Sequence, residues 1–329
     1  MTARQVPPGY SVRPIRLSED DGYPDGPDVD LAHQVVHQVE QSLLSEPDLN
    51  REAIRHQLSS PEAALQEHRL VLDASGRPVG VLIVEVDPVG RRIFLEPSAI
   101  PGEGVLLSAL IDMGLQAAPR LCGGKPGWGV ETGAYATDEP ARTALLAAGF
   151  APVRRFWRMQ VDFDGPVPEP EPPPGVTRTV AVSQADRRVL HSIFESSFAD
   201  HFGSVPERFE AWKGWFEARR DALPQTWWIA WLDGDPVGGI VQDASRAERG
   251  LGYVRSVGVL SSVRRRGIAG WLLQCAFADA AKRGLRGMSL GVDSENGSGA
   301  VRLYERHGMR AVHVVDLYRR PLGEESRAE

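Results

Sequence analysis

The residues of this sequence with chemistry to offer are concentrated in one stretch, Val254 to Leu273. It begins as a β-branched, strand-like run and passes through Arg264, Arg265 and Arg266 to a break at Gly267. Beyond it, Ile268, Trp271, Leu272, Cys275 and Ala278 recur at helical spacing. A helix that opens behind a glycine-punctuated basic turn is an anion site. Its first N–H groups lack intrahelical acceptors and stand at the positive end of the helix dipole. Gly267 and the small Ala269 admit a phosphate to that backbone, Ile268 and Gly270 belong to the same turn, and the arginines add charge. A pyrophosphate is the guest this pattern suits. Downstream, Met288 to Asp293 reads as a strand, followed by Asn296 and a short helix that carries Tyr304 and stops at Gly308-Met309.

The spacing Arg264-x-x-Gly267-x-Ala269 resembles the acyl-CoA signature of the GNAT N-acyltransferase superfamily. The succession Asn296, Tyr304, Gly308-Met309, about 30 residues on, resembles that family's C-terminal motif. The likeness covers residues 175 to 320. It implies acetyl transfer from acetyl-CoA to an amine, with two strands, Gly252–Leu260 and Met288–Asp293, splayed around the pantetheine arm. On this resemblance Val257 and Val259 pair with that arm, the Val259 N–H receives the oxyanion, Asn296 bonds the cofactor, and Tyr304 protonates the leaving thiolate. Relatives often carry a glutamate base on the fourth strand. Here that strand offers Arg255 and Ser256, so the candidate bases are Asp200, His201, Glu210 and Asp243, or a chain of waters. The loop Asp200-His201-Phe202 with Trp212 and Phe216 is expected to wall the acceptor pocket.

Composition narrows the setting. The chain has 329 residues, 42% hydrophobic and 25% charged, and a net charge of −7. That is the profile of a soluble globular protein of two ordinary domains, and it speaks against general nucleic-acid binding. The negative sign suits an amine substrate. Cys122 and Cys275 have no paired spacing, which predicts neither a disulfide framework nor a zinc site. His33 and His37 stand one helical turn apart without a third ligand, so no metal is expected. No run is apolar enough to span a bilayer, and the N-terminus lacks a signal core. The expectation is a cytoplasmic protein with a small-molecule amine as partner, no nucleic acid or membrane, acting as monomer or homodimer. Its arginine-over-lysine bias suggests a high-GC bacterial genome.

The proline-dense run from Asp164 to Gly175 reads as a polyproline II linker. It divides the chain into 1–164, a linker 165–175, a domain 176–322 and a frayed tail 323–329. The halves repeat. Gly149-Phe150 answers Gly308-Met309 at an offset of 159, and Pro78-Val79-Gly80 answers Pro236-Val237-Gly238 at 158. At that offset Leu145 stands for Tyr304 and Thr137 for Asn296. Glu103, between Gly102 and Gly104, puts a carboxylate where the phosphate would dock. The expected fold is therefore mixed α/β: two tandem GNAT-like domains, each a mostly antiparallel mixed sheet flanked by helices, the first degenerate and the second with splayed central strands. The arrangement is similar to that of mycothiol synthase-like proteins, through Gly291 to Asn296 and His313 to Tyr318. One acetyl-CoA per chain follows. The rival readings are a protein or peptide N-acetyltransferase and a non-catalytic acyl-CoA sensor.

Overall fold

The computed structural model describes residues 6–20, 23–217 and 222–323. The expected tail falls almost entirely outside them. In chain order the elements of the first half are β1 (Ser11–Pro14), β2 (Ser18–Asp20), β3 (Tyr23–Asp25), α1 (Pro27–Leu43), α2 (Arg51–Ser59), β4 (Arg69–Leu72), β5 (Pro78–Asp87), β6 (Arg92–Ala99), α3 (Gly104–Leu121), β7 (Gly129–Tyr135), α4 (Glu139–Ala147) and β8 (Ala151–Asp162). Those of the second half are β9 (Val176–Val180), α5 (Gln184–Phe198), α6 (Phe209–Glu217), β10 (Trp228–Leu232), β11 (Asp235–Asp243), β12 (Leu251–Val259), α7 (Ile268–Lys282), β13 (Gly287–Asp293), α8 (Ala300–Arg306) and β14 (Arg310–Pro321). Helix α1 starts at Pro27, ahead of the apolar stripe that suggests a start near Leu31. Proline suits the first turn, and Asp28 and Asp30 face the positive end of the dipole.

Two compact units result, Met1–Arg155 with Val314–Glu329, and Phe156–His313. The division differs from one drawn at the proline-rich run. In the first unit β1, β4, β5, β6 and β7 lie side by side, and β7 is closed by β14, with Tyr135 opposite Val315 and Gly129 opposite Pro321. In the second, β13, β12, β11, β10 and β9 are closed at β13 by β8, with Gly287 opposite Asp162 and Asp293 opposite Phe156. Each unit thus takes its closing strand from the other sequence repeat. Composition marks a linker but carries no signal for which edge a strand joins.

The proline-rich run is itself part of the second unit. Glu169 accepts from Arg178 Nη2 and Lys282 Nζ, each at 2.6 Å, and Trp271 Nε1 donates to the Pro170 carbonyl at 3.4 Å. The run is strapped to α7 instead of spanning open solvent. The repeat holds in detail: Phe150 N–H donates to the Leu145 carbonyl and Met309 N–H to the Tyr304 carbonyl, both behind a left-handed glycine, Gly149 or Gly308. Among the described residues no helix is long and apolar enough to cross a membrane. No group of three or more His, Cys, Asp or Glu that could hold a metal occurs there either.

Helix α5 opens on a full capping box: Ser183 accepts from the Asp186 N–H and Asp186 from the Ser183 N–H. Ser183→Ala removes one of these bonds, and we predict a loss of about 1 kcal/mol of stability. A urea unfolding midpoint identical to that of the parent protein would refute this.

Candidate functional site

The site begins with two strands that part. β12 runs parallel to β13 from Leu251 opposite Gly287 to Val254 opposite Leu290, and among the described residues the register ends there. β12 continues along β11 to Val259 opposite Gly238, while β13 continues along β8 to Asp293. Where they part, β12 carries an extra residue: Val241 faces Ser256 and Gln242 faces Val254, so Arg255 forms a bulge. At the far end, Leu260 N–H donates to the Val237 carbonyl of β11 at 2.9 Å. Successive strand residues turn their N–H groups to opposite sides. Val259, and Val257 two residues back, therefore direct theirs into the gap.

The basic turn closes the wide end. Gly267 is the N-cap of α7, with φ of 81° and no capping side chain. The Trp271 N–H bonds the Gly267 carbonyl at 2.9 Å, which leaves the amides of Ile268, Ala269 and Gly270 without an intrahelical acceptor. The first prolyl carbon near a Cβ placed at Gly267 would be 3.8 Å away, so the approach to this backbone is open. Arg265 and Arg266 are exposed. Arg264, exposed as well, has two backbone partners: its Nε donates to the Val259 carbonyl at 3.2 Å and its Nη2 to the Ser197 carbonyl at 3.1 Å. It braces the end of β12 against the end of α5. Ile268 turns its side chain into the core and offers the turn only its amide. Gly270 serves packing, since a Cβ there would lie 2.9 Å from His307 Cε1.

That contact matters because α8 carries Tyr304. The phenol is buried, no hydrogen-bond partner for it occurs among the described residues, and burial pushes its pKa up to about 12. It is thus held protonated far beyond neutral pH. Asn296 does not cap α8, whose N-cap is Gly299. Its Oδ1 accepts from the Ser298 N–H at 2.8 Å, and its Nδ2 lies 3.4 Å from His201 Nε2.

The two halves of the expected acceptor wall separate. His201 is half-buried, tilted against Phe198 at 4.8 Å between ring centroids. Burial and then the nearby Arg264 lower its pKa, against a smaller opposing pull from Asp293 and Asp200. A neutral imidazole beside Asn296 results. Asp200 and Phe202 are exposed in the same loop. Trp212, by contrast, is core, packed with Phe209, Trp227 and Ile229. The Phe216 side chain lies outside the described residues. Glu210 is exposed and paired with Arg188 at 2.8 Å. Asp243 is buried and committed: Arg255 Nε and Nη2 donate to one of its oxygens at 2.9 and 2.7 Å, and Ser245 to the other. Two residues that sequence reasoning missed sit beside it. Arg158 Nη1 donates to the buried Tyr253 hydroxyl at 2.5 Å. Arg158 lies on β8, ahead of the linker, where nothing in the sequence ties it to the second half.

The first unit has the same parting strands. Among the described residues β6 pairs with β7 only from Arg92 opposite Gly129 to Phe94 opposite Glu131. Its turn, however, carries a carboxylate: Glu103 is the N-cap of α3, without a side-chain capping bond, and its Oε2 accepts from the Tyr10 hydroxyl at 2.7 Å. Leu145 is buried at the place of Tyr304.

Comparison with known proteins agrees with this geometry. Residues 188–309, wholly inside the second unit, match the family model described as "Acetyltransferase (GNAT) family". A search of curated protein sequences found no match. Among solved structures the chain is similar to a GCN5-related N-acetyltransferase from Sphaerobacter thermophilus, at 26% identity over 96% of this chain and 97% of that one, with a TM-score of 0.78. It shares its fold with a tandem GNAT protein from the clavulanic acid biosynthesis pathway, at 13% identity over 96% of this chain and all (100%) of that one, TM-score 0.73. The fold extends to Saccharomyces cerevisiae N-myristoyltransferase with bound myristoyl-CoA, at 9% identity over 96% and 83% of the two chains, TM-score 0.62.

Gly270→Ala should push α8, and Tyr304 with it, away from the gap. We expect kcat to fall by roughly ten-fold, the scale of a misplaced catalytic group. Steady-state kinetics that match the parent protein would show that His307 moves aside without disturbing α8.

Proposed function

We propose that the second unit, whose residues 188–309 match the model of the GNAT acetyltransferase family, transfers the acetyl group of acetyl-CoA to the primary amine of a small molecule. The observation that carries this reading is the parting of β12 from β13 beside the uncapped start of α7. A linear thioester with a pyrophosphate at one end matches such a gap: amides for the phosphates at the wide end, strand amides along the arm. Arg265, Arg266, Gly267 and the amides of Ile268, Ala269 and Gly270 hold the pyrophosphate, with Asn296 on the opposite wall. Arg264 acts on binding through the strand it braces.

The chemistry is direct. The amine nitrogen bonds the acetyl carbon, the carbon–sulfur bond breaks, and the Val259 or Val257 N–H stabilises the oxyanion that forms between. The thiolate takes its proton from Tyr304, which environment keeps charged with one. The ammonium proton leaves to His201, whose depressed pKa keeps it neutral and able to accept near neutral pH. The acceptor loop supports a small acceptor, and the carboxylate of Glu103 at the first unit's turn supports one acetyl-CoA per chain. A cytoplasmic location belongs to the same reading, since acetyl-CoA is an intracellular metabolite. A protein N-acetyltransferase and an acyl-CoA sensor remain the alternatives, and release of free CoA with an amine panel separates them from this one.

Five results are expected. Calorimetric titration of the full chain gives one acetyl-CoA per chain; two equal sites would overturn the reading of the first unit. Arg265→Ala with Arg266→Ala weakens acetyl-CoA by about 1.5–3 kcal/mol, the scale of a bond to a charged group. Tyr304→Phe lowers kcat by roughly 10²-fold, the lower end for general acid catalysis, with acetyl-CoA affinity retained. Because Tyr304 keeps its proton up to about 12, kcat should show no alkaline loss through this group below pH 10. His201, with a lowered pKa, should place the acid limb of kcat/KM below its ordinary pKa of about 6.5. An acid limb that persists unchanged in His201→Gln would remove His201 from the mechanism.

A further inference from the structure

The proline-rich run lies along α7 and ends at the turn that would take the pyrophosphate. Three contacts fix its course. Glu169 accepts from Lys282 Nζ in the last turn of the helix, the Pro170 carbonyl accepts from Trp271 Nε1, and Pro173 stands beside Gly267. Chain order and helix order are opposed, so the run passes from the end of α7 to its beginning. The helix has 15 residues, about 22 Å at 1.5 Å per residue. A plain spacer between two halves of a chain has no need of such contacts.

Both ends of the run are anchored. At one, Glu169 also accepts from Arg178 Nη2, and that guanidinium lies over the Trp228 ring, 4.3 Å from its centroid. At the other, the Val176 N–H donates to the Pro173 carbonyl at 3.0 Å and the Asp233 N–H to the Gly175 carbonyl at 3.1 Å. Between the anchors Pro170, Pro172, Pro173 and Pro174 stiffen the backbone, because each ring fixes its own φ and biases the residue before it toward extended structure. A stiff segment held at its ends has little freedom in its middle. The point held there is Pro173. Apart from its chain neighbours, a Cβ built on Gly267 would meet one described atom within 4 Å, Pro173 Cγ at 3.8 Å, an ordinary van der Waals distance. A phosphate oxygen resting on the Gly267 backbone at that place touches the same ring.

We propose that Glu169 is a positioning residue for acetyl-CoA: by clamping the proline-rich run to α7 it keeps Pro173 as a wall of the phosphate turn, so that the pyrophosphate meets a formed site. This rests on the acetyl-transfer reading of the same unit. Glu169 acts through the run and not on the cofactor. Without the clamp, binding itself has to order the run, and that cost falls on the pyrophosphate end of the ligand. The Glu169 side chain is 42% exposed, so its ion pairs are of the modest kind and the effect is a few-fold change, not loss of the site.

The test is calorimetry on the full chain with CoA and with pantetheine, which has the arm and the thiol but no pyrophosphate. Glu169→Gln should raise the Kd for CoA by about five-fold and leave that for pantetheine within two-fold. Steady-state kinetics should show the same split, with KM for acetyl-CoA raised and kcat retained. Pro173→Gly, which removes the wall and softens the run, should weaken CoA to a similar extent. Lys282→Gln gives a smaller rise in the same direction. Lys282 is exposed and a full helix length from Gly267, so this variant carries the test should Glu169→Gln unfold. CoA affinity at the parent level in all three variants would overturn the proposal while acetyl transfer stands. Equal weakening of CoA and pantetheine, or a fall in kcat, would mean a general loosening of the unit and would overturn it too. If the parent protein binds no CoA, the acetyl-transfer reading falls and this inference falls with it.

Discussion

The site depends on a strand whose backbone is satisfied on one side only. Up to Val254, β12 has a neighbour on each flank; beyond it, among the described residues, no strand pairs with the flank toward β13. Buried amides and carbonyls without partners are costly, and proteins rarely leave them so. Arg264 covers one such group, the Val259 carbonyl, from within the chain. The N–H groups of Val257 and Val259 are left to face the gap. Everything else arranged around it, the uncapped start of α7, the buried phenol on α8 and the His201 loop, is positioned by elements that pack against those two diverging strands.

The parts of this that could be read in the sequence are those encoded by local rules. Gly267 in a left-handed N-cap, Ile268, Trp271 and Leu272 on one helix face, and the paired stops at Gly149 and Gly308 are consequences of neighbours in the chain. The repeat was legible for the same reason. What escaped was nonlocal. Arg264 looks like a phosphate ligand in a run of three arginines, but its reach to the Ser197 carbonyl is decided by where α5 ends in space. Asp243 reads as a free carboxylate until the bulge at Arg255 swings a guanidinium onto it. Trp212 has the same apolar signature whether it lines a pocket or fills a core, and it fills the core. Arg158 belongs to the second unit only because β8 pairs with β13.

The two repeats have kept different pieces of one design. Glu96 stands opposite Ile83 on β6, the register place that Ser256 holds opposite Val241 on β12. Burial, with Glu85 beside it, raises the Glu96 carboxyl to about 8. A buried carboxyl thus stands at this register place in the first unit, where Glu103 is the N-cap of α3, and a serine stands there in the second, where α7 starts without a capping side chain.

The closing of β7 by β14 has a consequence for how this chain comes into being. Glu131 of β7 is among the most buried carboxylates of the first unit, and its counter-ion is Arg319 of β14. A ribosome makes β7 long before Arg319 exists. Until β14 emerges, the first repeat holds a bare edge strand with an acid that has no base to meet, a template for stray pairing and a burden to desolvate. Its folding must wait for β14, while most of its strands are made first. The same dependence bars evolution from undoing the duplication: a gene that lost its second repeat would also lose the strand that lets the first one close.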